Sequence, residues 1–418
     1  MVERGHVKVI GAGVVGIATA LTLQRDGHRV TVVDRLGPGE ATSFGNAGGM
    51  AVTEMQPVSQ PNTIWKVPGW LLDPEGPLAI RPAHLPRLAP WLWRFWRAGN
   101  IKRVVEIADA QAALNDRARA DWAPLLAASN LENQVKTNGA LTLYRTEKGY
   151  RADALSWKLR RERGVEAHEL GPEEIRQLEP DIGPGFTRGV LMPGWGHVLD
   201  PKRIVTGMAE RFVADGGEII RAEVNGVRIE AARVSALETS AGGHAVDQLV
   251  VCAGAWSKRV AGWLGDRVSL ESERGYHVTL PAAEVRLRRM LIMAEDQFVM
   301  TPMSVGLRLA GTVEMGGLEA EPNMVRAKVL LKKARRVLPS LADAARVEGK
   351  TEWAGHRPAT PDTIPVISAS PRVGNVFYGF GHGHLGLTQA AVTGRLLADL
   401  VDGKSEKAMI QPFRVNRF

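Results

Sequence analysis

The hydrophobic pattern changes period most clearly at the start of the chain. Val7-Lys8-Val9-Ile10 reads as a short buried strand, and Val14 to Arg25 continue at helical spacing. Gly11, Gly13 and Gly16 punctuate the junction. Gly27 can end the helix, and the β-branched run Arg29-Val30-Thr31-Val32-Val33 predicts a second strand. Further along, Leu88 to Arg97 has an amphipathic pattern, predicting a helix that starts at Pro90. Residues 101–127 read as one long helix, and Val135 to Tyr144 as a hairpin about Asn138-Gly139. Asp200-Pro201 opens a helix, with Asp200 as N-cap and Pro201 in its first turn. Strands follow from Glu218 to Cys252. From Val268 to Gly317 the alternation predicts an antiparallel sheet. Met324 to Val337 reads as a basic helix, and a last helix ends near Val401.

The 418 residues suit about two domains. With 44% hydrophobic and 23% charged residues, the composition is that of a soluble globular protein. Val9 to Leu23 is apolar enough to mimic a signal peptide or a membrane span, but it is short for a span and carries three glycines. The net charge of +8 comes without a Lys/Arg cluster or zinc spacing, so nucleic acid is not an expected partner. A single cysteine, Cys252, excludes an internal disulfide and a four-cysteine metal site, and fits a reducing compartment. The expected location is cytoplasmic. The Trp-rich stretch from 56 to 100 leaves two readings for its amphipathic helix: one covering a core, which is favoured, or a peripheral foot on the inner face of a membrane.

Gly11, Gly13 and Gly16 have the G-x-G-x-x-G spacing, and Asp34 lies 23 residues after Gly11. Such a turn lets a pyrophosphate approach backbone at a helix N-terminus, while the acid accepts bonds from an adenosine ribose. Strand, turn, helix, strand and acid in this order favour a dinucleotide site over an unrelated turn. Asp34 would repel a phosphorylated second ribose. Spacing alone does not separate FAD from NAD. A small-residue stretch, Ser43-Phe44-Gly45-Asn46-Ala47-Gly48-Gly49-Met50, reads equally as backbone that a flat ligand can approach or as a plain loop.

Near the C-terminus stands Gly379-Phe380-Gly381-His382-Gly383-His384-Leu385-Gly386-Leu387-Thr388. Together with the opening turn and Val250-Val251-Cys252-Ala253-Gly254-Ala255-Trp256, this block resembles the D-amino-acid-oxidase-like FAD oxidoreductases. The likeness covers nearly the whole chain. Thr42–Met50, Gly196–Pro201, Gly311-Thr312-Val313-Glu314 and Gly355-His356-Arg357-Pro358 fall in family order, and Ser43 to Gly48 is similar to a loop of the bacterial D-amino acid dehydrogenases.

The resemblance implies FAD as cofactor. It implies an α/β fold: a discontinuous Rossmann-type FAD-binding domain (1–55, 200–265 and 350–418) and a substrate domain on an antiparallel sheet with helices (56–199 and 266–349). It places Gly11, Gly13, Val14, Val15 and Gly16 at the phosphates, Asp34 and Arg35 at the adenosine, Thr42 and Ser43 by the pyrophosphate, and Val224 at the adenine. Asn46, Ala47, Gly48, Gly49 and Met50 would line the flavin. Ala253 and Gly254 would join the cofactor wall, and Gly381, Gly383, His384, Leu385, Gly386, Leu387 and Thr388 would close the other end. Free N–H groups there suit the negative charge of a reduced flavin. Arg357 would grip a substrate carboxylate with its planar guanidinium. Tyr276 matches a tyrosine near substrate, with a core position as its other reading. His384 is a candidate for substrate choice or proton transfer, with a cap role as the alternative. Met50 and His277 are further candidates.

The implied reaction is oxidation of the α-carbon–nitrogen bond of a D-amino acid or related amino or imino acid. Hydride passes to flavin N5, and the imine becomes a keto acid and ammonia. The electron acceptor is a quinone, a carrier protein or oxygen. An oxygen-using glycine or sarcosine oxidase and a D-proline or hydroxyproline dehydrogenase stay open, as does a non-enzymatic membrane- or partner-binding protein. No oligomeric state and no covalent flavin link follow from the sequence.

Overall fold

The computed structural model describes residues 5–61, 63–404 and 407–418. Residues 1–4, 62 and 405–406, which the expected domain segments include, lie outside the described residues.

The opening pattern folds as its periods dictate. Strand His6–Ile10 runs beneath helix Val14–Arg25, and strand Arg29–Asp34 returns parallel to it. These strands are buried on both faces, as parallel strands covered by helices must be. They belong to a six-stranded sheet. Its order is Glu218–Arg221, Arg29–Asp34, His6–Ile10, Gln248–Val251, Val376–Phe380 and Val366–Ala369. Only the last pair is antiparallel. Helices Val14–Arg25, Ile101–Ala128, Pro201–Ala214 and Gly386–Val401 bury Ile17, Leu114, Met208 and Leu397 in one core beside it. Asp200 caps its helix by accepting from the Lys202 and Arg203 amides at 2.8 and 3.3 Å.

The larger sheet has nine strands. It is antiparallel except for two parallel pairings, Met290–Met293 with Ala140–Tyr144 and Gly306–Met315 with Leu78–Ile80. Glu271–Leu280 pairs on one side with Gly306–Met315 and on the other with Thr351–Ala359. Helix Val325–Arg335 covers one face through Ala327, Leu330 and Ala334, which pack with Tyr276, Val278 and Leu280.

Three expectations change. Thr351–Ala359, assigned by sequence to the FAD-binding segments, is an edge of the larger sheet. Val135–Lys136 and Ala140–Tyr144 enter different sheets, so Asn138-Gly139 turns a corner and makes no hairpin. The amphipathic helix spans Leu85–Ala98 and takes Pro90 into its interior. Pro86 serves its first turn, where a missing N–H costs nothing.

Candidate active site

The strand–turn–helix unit builds one wall of a deep cleft. Among the predicted cofactor residues, Gly11, Gly13, Val14, Val15, Asp34, Arg35, Thr42, Ser43, Asn46, Val224, Ala253, Gly254, Gly383, Gly386 and Leu387 line it. Gly11 has φ +111°, a region that side chains avoid. Gly16 does not face the cleft. A Cβ there would lie 1.9 Å from the Gly11 carbonyl oxygen, so this glycine lets the helix pack on the turn. Asp34 accepts the Ala12 amide at 2.7 Å and the Leu36 amide at 2.8 Å, which locks its carboxylate at the rim. The first amide of the helix, Val14 N–H, donates to Ser43 Oγ at 2.9 Å. Arg35 lies over the Trp256 ring at 4.6 Å and within 3.7 Å of Glu223. Trp256, Glu223 and Arg259 line the cleft without having been assigned from sequence. Trp256 was legible as an aromatic closing the small-residue turn after a buried strand; Glu223 and Arg259 left no local signal.

The 43–50 loop is pinned from both sides. Thr42 Oγ1 donates to the His356 carbonyl at 2.8 Å, tying the loop to the strand that carries Arg357. Buried Arg308 donates to the carbonyls of Phe44 and Asn46 at 3.1 and 2.8 Å. Burial pulls its pKa down to about 10, which leaves it charged at neutral pH. Ala47 offers its carbonyl to Thr301 at 2.8 Å, and Asn46 Oδ1 accepts from Gly48 N–H at 2.7 Å. Gly49 and Met50 pair with His197 and Gly196. Met50 sinks into the main core and lines neither cavity. His277 is buried, stacked on Trp353 and bonded to the Gly45 carbonyl at 3.1 Å, and lines neither cavity.

The Gly-His turn joins this cleft to a second, larger cavity. Gly381 and Gly383 have φ of +86° and +53°. Gly383 N–H donates to the Pro358 carbonyl at 2.8 Å, and His382 is buried against Thr393 Oγ1 at 2.8 Å. Thr388 Oγ1 accepts the Ala51 amide at 2.9 Å, and Leu385 is buried beside Ala51 and Trp195. Helix Gly386–Val401 starts without a side-chain cap, so its first N–H groups are left for another acceptor. The second cavity is lined by Glu273, Gln297, Thr312, Arg357 and His384, and rimmed by helices Thr63–Leu72 and Leu85–Ala98. His384 is solvent-exposed at this cavity, and the protein around its ring lowers its pKa by desolvation.

Arg357 lies flat across its neighbouring strand. A Cβ on Gly275 would come within 2.2 Å of its Cζ. Its Nη1 donates to the Thr312 carbonyl at 3.3 Å. Thr312 sits at the bulge between the pairings of Gly275 and Tyr276, with φ +56°, which is strained for a β-branched residue. Among the described residues no carboxylate pairs with Arg357. Tyr276, expected beside substrate, occupies the other face of the sheet. Its hydroxyl donates to Glu314 and accepts the Asn323 amide at 2.9 Å. Alternation along its own strand sends it into the core, so it takes its core reading.

The cleft residues fit a dinucleotide. They supply a glycine turn at a helix N-terminus, a fixed acid at the end of the second strand and a pinned loop leading to a second uncapped helix. A family model described as FAD dependent oxidoreductase matches residues 6–400. A D-amino-acid oxidase of Bradyrhizobium diazoefficiens is 38% identical over 421 residues, covering 100% of both chains. A D-amino acid dehydrogenase of Paramagnetospirillum magneticum is 31% identical over 99% of this chain and 98% of its own. The solved structure of glycine oxidase from Bacillus cereus superposes with a TM-score of 0.75 at 20% identity, covering 99% of each chain.

Proposed function

The chain belongs to the family of FAD-dependent oxidoreductases, and on that premise we propose that it oxidises the α-carbon–nitrogen bond of a D-amino acid or a closely related amino or imino acid. The observation that carries this reading is Arg357, which has no carboxylate partner among the described residues, lines the second cavity and is presented across Gly275. Both relatives named above act on D-amino acids by name, which supports that stereochemistry.

Bound FAD supplies the acceptor for the hydrogen and electrons that leave the α-carbon. The protein's own part is positioning. Asp34, Ser43 and the first turn of helix Val14–Arg25 would hold the adenosine and phosphates. The Gly-His turn and the uncapped start of helix Gly386–Val401 would stabilise negative charge at the reacting end. Arg357 would take the substrate carboxylate by two parallel bonds and so orient the α-carbon. Desolvation by the surrounding protein disfavours the charged form of His384 at the cavity wall.

The test is an anaerobic bleaching screen of the bound flavin with D-, L- and N-substituted amino acids. D-substrates should bleach it, and bleaching by L-amino acids alone would overturn the reading. Arg357→Met should leave flavin bound and weaken substrate reduction at least tenfold; unchanged reduction would refute the carboxylate role. Fast reoxidation in air with peroxide marks an oxidase, and slow reoxidation a dehydrogenase using a quinone or carrier. The relatives bear both names.

The rim of the cavity supports a peripheral lipid contact. Trp65, Leu72, Trp93 and Trp96 are exposed on its two helices beside Lys66 and Arg97. No helix among the described residues is long and apolar enough to cross a membrane. Sedimentation with anionic vesicles should carry the protein down and lose the Trp93→Ser, Trp96→Ser variant; no sedimentation of the parent protein rejects the contact.

A further inference from the structure

Strand Glu271–Leu280 sends Glu273, Gly275 and His277 to one face. The register sets Glu273 directly opposite Arg357. Opposed residues of an antiparallel pair stand close enough for an acid and a base to join. Here they do not. Arg357 turns along its neighbour over Gly275 and donates to the Thr312 carbonyl. Glu273 is left, among the described residues, with no hydrogen bond and no ion pair, while lining the same cavity as Arg357.

Glu273 is half-buried on the cavity wall, and a carboxylate without a partner there is a place where a ligand's cation can bind. The surrounding charges leave that place open. Glu271, on the same strand, has His84 Nε2 at 3.2 Å. Arg94, from the helix at the rim, is bonded to Ser269 at 3.2 Å. His384, on the Gly-His turn, faces the cavity with its charged form disfavoured. Burial also raises the proton affinity of Glu273, with Arg357 opposing and Glu271 adding. A positive group arriving there would relieve that.

The cavity therefore offers a cation and an anion on adjacent strands, each free to bind a ligand. An α-amino acid carries the matching charges on one carbon. We infer that Glu273 receives the amino group of the substrate while Arg357 holds its carboxylate, so that the pair selects zwitterions over amine-free acids. This rests on the carboxylate role of Arg357.

The test uses the holoenzyme and two ligands that cannot be consumed. 2-Aminoisobutyrate has both charges but no α-hydrogen; 2-methylpropanoate is its amine-free counterpart. Binding is read from the perturbed flavin absorbance, without turnover. The wild type should prefer 2-aminoisobutyrate. Glu273→Gln should weaken it by about 10- to 100-fold and bind 2-methylpropanoate as well as or better than the wild type, since a negative charge beside Arg357 is gone. Glu273→Asp should keep part of the preference. A wild type without preference overturns the inference, and so does a Gln variant that weakens both ligands equally or neither. Arg357→Met separates the two readings: if 2-methylpropanoate binding does not depend on Arg357, the carboxylate role itself fails.

Discussion

Gly275→Ala isolates the geometry of the Arg357 site. The added Cβ would lie 2.2 Å from Cζ, 2.3 Å from Nη2 and 2.6 Å from Nη1 of Arg357. Ordinary carbon contacts need about 3.5–4.0 Å, so the guanidinium must move by more than about 1 Å. The obstacle is the far end of a flexible side chain, and Gly275 is not among the residues with positive φ. Folding is therefore spared. Replacing glycine inside a strand should even add about 0.5–1 kcal/mol. What is lost is the 3.3 Å bond to the Thr312 carbonyl and the alignment that bond maintains. A charge-assisted bond to a bound carboxylate is worth about 1.5–3 kcal/mol, so affinity should fall about 10- to 150-fold. Titration of the bound flavin with 2-methylpropanoate, and KM for the best amino acid, measure this. Thermal unfolding and flavin content serve as controls. Equal affinity in the variant would refute the reasoning. So would loss of flavin together with affinity, because Gly275 would then matter to the fold and not to Arg357.

Other outcomes follow from the same contacts. Gly16→Ala places a Cβ 1.9 Å from a backbone oxygen, which no rotamer change relieves; it should cost about 1–3 kcal/mol and yield protein short of FAD. Full flavin content at an unchanged thermal midpoint would contradict this. His197, His277 and His382 are almost fully buried, and desolvation pushes their pKa values down to about 4, 3 and 3. Their folded values lie below the unfolded value near 6.5, so the native state holds them neutral. Their contribution is complete above about pH 6.5 and is lost as pH falls toward the folded values, by about 2 kcal/mol each at pH 5. The unfolding midpoint in denaturant should drop between pH 7.5 and pH 5, and less steeply in His277→Gln; equal midpoints at both pH values would count against it.

The nucleotide half of the site was legible from local pattern. Val7 to Asp34 carries strand, turn, helix, strand and acid within one stretch, and short-range periodicity is enough to order those elements. The Gly-His turn and the capped helix at Pro201 were legible for the same reason. Arg357 was found by resemblance, but its pose was not, because Gly275 and Thr312 come from strands paired only in the folded sheet. Tyr276 faces the core because it alternates with Gly275 along its own strand, and which face of that strand is the core one is decided only by how the sheet packs. Glu273 was invisible for a related reason: in a strand, an acid facing a cavity reads like an acid facing water. The sequence by itself determined the order and type of most strands and helices, and the glycine turn and acid that suit a phosphate and a ribose. The tertiary structure alone decided which side chains meet across the sheet, because register is set by contacts between residues some eighty positions apart.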